Sequence, residues 1–190
     1  MNDLQIVAAY SGFLAEVGVR HVVGGSLASS AWGEQRSTND ADFLLRFTGE
    51  QLEGFLVLLP HDFTVEEAEV RASSASTEAF ASFQARYEPS VFKIDNFIAN
   101  DQWQLEQLDR AKPLELLKGS AVPFASAEDM IVAKCRWFDL GNRVSDRQWN
   151  DLVRLYEVQR MSLETSYIER WLTHFDLMDL WQEIQRQARA

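Results

Sequence analysis

An α/β or α+β fold is predicted for the 190-residue chain, with a small mixed β-sheet flanked by helices and a helical bundle behind it. Two features predict it. Short apolar or alternating runs bounded by glycine and proline turns occur up to residue 124 and read as strands, with helical periodicities between them. From Ser126 onward the apolar residues recur at steps of three and four, which is a helical pattern. The expected organisation is therefore an α/β domain over 1–125 and a helical subdomain over 126–190, with Pro123 marking the boundary.

In chain order, Leu4, Val7, Tyr10, Leu14 and Val17 mark an amphipathic first helix that stops at Gly18. An apolar run, His21 to Val23, enters the turn Gly24-Gly25-Ser26, and a short helix follows over Leu27 to Trp32. The chain returns through Thr38-Asn39 as a strand, Asp40-Ala41-Asp42-Phe43-Leu44-Leu45. Side chains i and i+2 of a strand share a face, so Asp40 and Asp42 present two carboxylates side by side. Two ionised carboxylates repel each other unless a hard cation such as Mg²⁺ neutralises them. The glycines permit a tight turn and close backbone approach, Ser26 is placed to cap the helix, and a helix N-terminus attracts phosphate. Phosphate cradle and cation clamp together read as nucleoside triphosphate chemistry. Two alternatives fail on spacing: a Walker A loop needs G-x-x-x-x-G-K-[ST], and a dinucleotide fingerprint needs glycines at one, three and six, where the chain has Gly24, Ser26 and Ser29.

The motif Gly24-Gly25-Ser26 followed by Asp40-x-Asp42 resembles the signature of the nucleotidyltransferase superfamily. That superfamily has the polymerase-beta-like fold and includes aminoglycoside nucleotidyltransferases and bacterial AbiEii-type toxins, the last being nearest in pattern. The resemblance implies a nucleotidyltransferase-like fold, one or two Mg²⁺ ions and a nucleoside triphosphate co-substrate. It also implies that Gly24, Gly25 and Ser26 bind nucleotide and that a third carboxylate arrives from a neighbouring strand. Asp95 matches that third acid, and Asp101 is the alternative.

Downstream, Thr48-Gly49-Glu50 opens a helix over Gln51 to Leu59 that Pro60 ends, and residues 64 to 79 read as a helix followed by a loop. Ser82 to Tyr87, the turn Glu88-Pro89-Ser90 and Val91 to Ile98 read as a hairpin. Its second strand puts Asp95 on one face with Val91, Lys93 and Phe97; the bland role for Asp95 is pairing with a nearby base. Asp101 to Leu108 reads as a short helix. Leu114 to Leu117 and Ala121 to Phe124 read as a last edge hairpin blunted by Pro123.

Ser126 caps the next expected helix, whose stripe of Met130, Ile131, Trp137 and Phe138 has Lys134 in its middle. Either Lys134 snorkels to water or it turns inward to meet something negative. AbiEii-like proteins carry a comparable lysine, which implies that Lys134 reaches the triphosphate. Cys135 beside it reads as a small buried hydrophobe. Ser145 opens the following helix, with Trp149, Leu152, Val153 and Tyr156 on one face and Leu155 and Val158 on a second. Asp151, between Arg147 and Arg154, is either a salt-bridge partner or, as the AbiEii resemblance implies, a distal catalytic acid. Two more helices carry Ile168, Trp171, Leu172 and Phe175, then Leu177, Leu180, Trp181 and Ile184.

Composition narrows the classes further. A 46% hydrophobic, 12% aromatic chain sustains a real core, and no apolar run reaches the eighteen or so residues of a membrane span. The start Met1-Asn2-Asp3 has no signal-peptide character, and one cysteine permits no internal disulfide, so a cytoplasmic location is expected. Three scattered histidines offer no zinc spacing. A net charge of −11 opposes strong nonspecific nucleic-acid binding. The acceptors in view are a tRNA end, as for AbiEii-type toxins, or a small molecule of the antibiotic kind. A non-enzymatic antitoxin-like module, or a cognate toxin or antitoxin partner, completes the set.

Overall fold

The computed structural model describes residues 1–33 and 39–188; Thr38 of the signature stretch lies outside them. Helix α1 (Asp3–Glu16) opens on a capping box in which Asn2 accepts from the Gln5 amide N–H and the Gln5 side chain accepts from the Asn2 N–H. Such a cap contributes about 1 kcal/mol to a helix. The inward stripe is Ile6, Val7, Tyr10, Phe13 and Leu14, all buried, while Leu4 stays 38% exposed. The expected stripe is thus rotated toward Ile6 and Phe13. Gly18 takes φ +79° and breaks the helix.

Seven strands form one mixed sheet in the order β3-β4-β5-β2-β1-β7-β6. At its centre, β1 (Arg20–Val23) runs antiparallel to β2 (Asp40–Arg46), and β2 runs parallel to β5 (Phe92–Ile98). Beyond β5 lie β4 (Ser82–Tyr87) and β3 (Phe63–Val65), each antiparallel to its neighbour. On the other side β7 (Ser120–Phe124) is parallel to β1 at Val23↔Phe124, and β6 (Lys112–Leu117) is antiparallel to β7. One face of the centre carries Ala41, Phe43, Leu45, Ile94, Asn96 and Ile98, none more than 1% exposed. Tyr10 of α1 meets Phe43 edge-on at 5.2 Å, and its hydroxyl donates to Asn96 Oδ1 at 3.1 Å. Burial pushes that phenol far up, so it stays a donor. The opposite face carries the acids.

Four helices connect the strands: α2 (Gly25–Trp32), α3 (Gly49–Leu58), α4 (Glu67–Ala75) and α5 (Gln102–Asp109). Thr48 and Gln51 form the capping box of α3. Three differences from the sequence reading have local causes. Strand β3 was expected to be helix or loop, because three residues are too few to show an alternating period; its pairing with β4 makes it a strand. Val91 has φ +57° and belongs to the turn, not to the strand. Pro123 lies on the inner strand β7, and the edge strand β6 carries its own proline, Pro113, opposite it.

The chain divides into two units, Met1–Leu27 with Ser37–Ala125 and Ala28–Arg36 with Ser126–Ala190. The second contains α6 (Ala127–Leu140), α7 (Asp146–Gln159), α8 (Thr165–His174) and α9 (Met178–Gln187). Ser126 and Ser145 cap α6 and α7. Asp129 is fully buried; it accepts from Ser126 Oγ at 2.7 Å and from the Tyr167 hydroxyl at 2.5 Å, which offsets the cost of burying a carboxylate. Leu155 of α7 is buried, but Val158 is 57% exposed, so the second apolar face is only partly covered. Within this unit the Trp32 carbonyl accepts from Gln159 Nε2 at 2.6 Å, and a Cβ on Gly33 would lie 3.1 Å from the Ser29 carbonyl oxygen. No helix among the described residues is long and apolar enough to cross a membrane.

Candidate functional site

Strand β1 delivers the chain to the Gly24-Gly25 turn. The Gly24 N–H donates to the Asp42 carbonyl at 2.8 Å, which pins the turn to the strand that carries the acids. Gly25 has φ +54°, a conformation glycine adopts at least cost, and a Cβ there would lie 1.7 Å from Asp42 Oδ2. Glycine is therefore required twice at one position, by conformation and by space. Helix α2 starts at Gly25, so Ser26 falls inside its first turn and is not the cap expected from sequence. Because the chain enters the helix directly from the positive-φ glycine, the capping place is already passed at Ser26. A helix first turn directs its N–H groups outward, an arrangement suited to phosphate.

Asp40 and Asp42 alternate on β2 and share the face away from Phe43; Asp40 is exposed and Asp42 half-buried. Across the parallel β2–β5 pair, Asp95 lies directly opposite Asp42 in register. Neighbouring strands are about 4.8 Å apart, so two carboxylates face the same space. Gln84 on β4 is opposite Asp95 in turn, and its Nε2 donates to Asp95 Oδ1 at 2.9 Å. The row Asp42, Asp95, Gln84 thus crosses three strands. Asp101, the alternative third acid, caps α5: its Oδ1 accepts from the Gln104 N–H at 2.7 Å.

Among the described residues no three His, Cys, Asp or Glu side chains cluster closely enough to hold a metal ion by themselves. Mg²⁺ needs no such cage, since it takes one or two carboxylates and completes its shell with substrate phosphates and water. Asp40 and Asp42, two carboxylates on one face of β2, are oxygen donors of the kind such a hard cation takes.

The remaining candidates belong to the second unit. Lys134 of α6 and Asp151 of α7 form an ion pair, Nζ to Oδ2 3.6 Å, with side chains 16% and 31% exposed. Of the two sequence readings of Lys134, it is the inward one that holds, and Asp151 is what it meets. Cys135 is fully buried, and burial together with the nearby Asp179 charge pushes its thiol far up, so it is no nucleophile. His21 is buried between the Val19 carbonyl, 2.9 Å from Nδ1, and Ser11 Oγ, 2.8 Å from Nε2.

Sequence reasoning missed Gln84. The expected turn Glu88-Pro89-Ser90 would put Phe83 opposite Asp95; because Val91 also belongs to the turn, the register moves by one and Gln84 takes that place.

No protein-family model and no curated protein matches the sequence. Solved structures do match the fold. An antigenic nucleotidyltransferase-like protein from Paracoccidioides brasiliensis is 14% identical, with TM-score 0.58 over 96% of this chain and 91% of that one. The antibiotic-resistance factor ANT(2'')-Ia in solution is 17% identical, with TM-score 0.55 over 98% and 99%. A crystal structure of ANT(2'')-Ia in complex with adenylyl-2''-tobramycin is 14% identical, with TM-score 0.60 over 93% and 98%. The chain has the nucleotidyltransferase-like fold expected from its sequence.

Proposed function

We propose that this chain is an Mg²⁺-dependent nucleotidyltransferase that moves a nucleoside monophosphate from a nucleoside triphosphate to an acceptor hydroxyl. The observation that carries the reading is Asp42, packed on Gly25 of the turn and opposite Asp95 across the parallel strands. Asp40 and Asp42 would hold Mg²⁺, which would supply charge neutralisation at the phosphates. The Gly24-Gly25-Ser26 turn and the first turn of α2 take the phosphates. Asp95, oriented by the Gln84 amide, removes the proton of the acceptor hydroxyl. The acceptor oxygen then bonds to the α-phosphorus as the bond to the β-phosphate oxygen breaks and pyrophosphate leaves. Lys134, with Asp151 as its partner, is assigned to the triphosphate on the strength of the AbiEii resemblance.

Two acceptor classes follow from two observations. The ANT(2'')-Ia crystal structure holds adenylyl-2''-tobramycin, and a net charge of −11 attracts cations, which supports a cationic small molecule. The resemblance of Lys134 and Asp151 to the lysine and aspartate of AbiEii-type toxins supports the second class, a tRNA end as acceptor.

The test is titration of the protein with each nucleoside triphosphate, with and without Mg²⁺, beside Asp42→Asn. Mg²⁺-dependent binding is expected for the parent chain, and the variant is expected to fold yet lose both binding and transfer. Transfer retained by Asp42→Asn would overturn the reading.

A further inference from the structure

The carboxylate row has a second row beside it on the same face of the sheet. Two residues back along β2 and β5, and two forward along the antiparallel β4, Asp40 lies opposite Lys93 and Lys93 lies opposite Arg86. Lys93 and Arg86 are both exposed. Like charges directly opposite across an antiparallel pair disfavour that pairing, and Asp40 borders only the Lys93 side. The face therefore presents two like-charged pairs next to each other, Asp42 with Asp95 and Lys93 with Arg86. The first calls for a cation and the second for an anion.

The strand order decides which substrate the basic pair serves. Across β1-β2-β5-β4, the Gly24-Gly25 turn leaves β1, the acids occupy β2 and β5, and the basic pair occupies β5 and β4. The phosphate-binding turn and the basic pair are thus on opposite sides of the acids. On the nucleotidyltransferase reading, on which this inference rests, the Asp95 side belongs to the acceptor.

We infer that the acceptor carries a phosphate close to its reacting hydroxyl, and that Lys93 and Arg86 bind that phosphate. Arg86 supplies the planar fork that matches two phosphate oxygens, and Lys93 a point charge beside it. This local charge opposes the expectation from the net charge of the chain, which pointed to a cationic acceptor. A net charge is a sum over the surface, whereas an acceptor meets the groups at the site.

The probes are a fluorescein-labelled 12-nucleotide single-stranded RNA with a free 3′-hydroxyl, ribose 5-phosphate, and tobramycin. Each is titrated into the parent chain, into the double variant Lys93→Gln with Arg86→Gln, and into the charge-preserving Lys93→Arg with Arg86→Lys. Mg²⁺–triphosphate affinity is measured in parallel on all three proteins. The expected result is binding of a phosphate-bearing probe that weakens about tenfold or more in the glutamine variant and is restored in the charge-preserving one, with triphosphate affinity unchanged. Binding of RNA alone identifies a phosphodiester chain as the source, and binding of ribose 5-phosphate identifies a small phosphate ester. No binding of either probe, binding indifferent to the substitutions, or preference for tobramycin overturns the inference. So does a loss of triphosphate affinity in the glutamine variant, which reassigns the pair to the nucleotide. Absence of Mg²⁺–triphosphate binding in the parent chain would instead defeat the enzymatic reading, and probe binding still decides whether the basic pair holds phosphate.

Discussion

The carboxylate of Asp42 rests against the α-carbon of Gly25, in the volume that a side chain at that position would occupy. Gly25→Ala must move the carboxylate and also hold a Cβ in the left-handed region, which by itself costs about 1–2 kcal/mol. The expected outcome is a melting temperature lower by roughly 2–8 °C and loss of Mg²⁺-dependent nucleotide binding. Gly24→Ala is the control. Its Cβ would meet nothing nearer than the Asp42 carbonyl oxygen at 3.9 Å, so stability and binding should change little. Calorimetry and thermal melts on both variants check the contrast.

Lys134 and Asp151 stabilise each other, and a double-mutant cycle with Lys134→Met and Asp151→Asn should show a coupling of about 1 kcal/mol, modest because both groups are partly solvated. The functional assignment makes a separate demand. Lys134→Met should weaken Mg²⁺–triphosphate affinity about tenfold, the scale of one lost charge-assisted contact, and Asp151→Asn should weaken it less. If urea titrations show the coupling while nucleotide affinity stays constant, the pair serves only to hold α6 to α7.

His21 gives stability a pH dependence whose direction is fixed by its surroundings. The Val19 carbonyl only accepts, so Nδ1 carries the proton and Nε2 accepts from the Ser11 hydroxyl, which makes the buried ring neutral. Burial lowers its pKa below the ordinary 6.5. The unfolded chain therefore takes up a proton near pH 6.5 that the folded chain refuses. Stability from this group is complete above that pH and falls as pH drops toward the folded value, by at most about 1.4 kcal/mol per unit. Urea unfolding of the parent chain and His21→Asn between pH 7.5 and 5 should show this component of the slope in the parent only.

Cys135 should resist a thiol reagent such as dithionitrobenzoate in the folded protein, since the reagent needs both access and thiolate. Full reaction is expected only in denaturant. Rapid labelling under native conditions would show that α6 opens locally.

The parts of the fold that were legible in the sequence are those written in local patterns. The caps at Thr48, Ser126 and Ser145 and the i, i+3, i+4 sets of α8 and α9 depend on residues within one or two turns of each other. Asp95 was reachable because a strand on a hairpin can be counted from its turn. What escaped depends on distant partners. Strand β3 exists only because β4 lies beside it, and the short contact of Tyr167 with Asp129 spans 38 residues. Arg86 belongs to no local motif; the register of three strands is what brings it beside Lys93 and the acids. Asp101 was ambiguous because a carboxylate after a strand and a carboxylate before a helix are the same residue in the sequence, and only the accepted Gln104 N–H tells them apart.

The second unit owns a piece of chain, Ala28–Arg36, that is inserted between β1 and β2 of the first. A gene fusion or exchange made with one crossover at residue 125 would leave Gln159 without the Trp32 carbonyl it binds and Leu155 without Gly33 beside it. Recombination between relatives of this fold can transplant the helical half intact only by carrying two segments together, one of them cut from the stretch between the Gly24-Gly25 turn and Asp40.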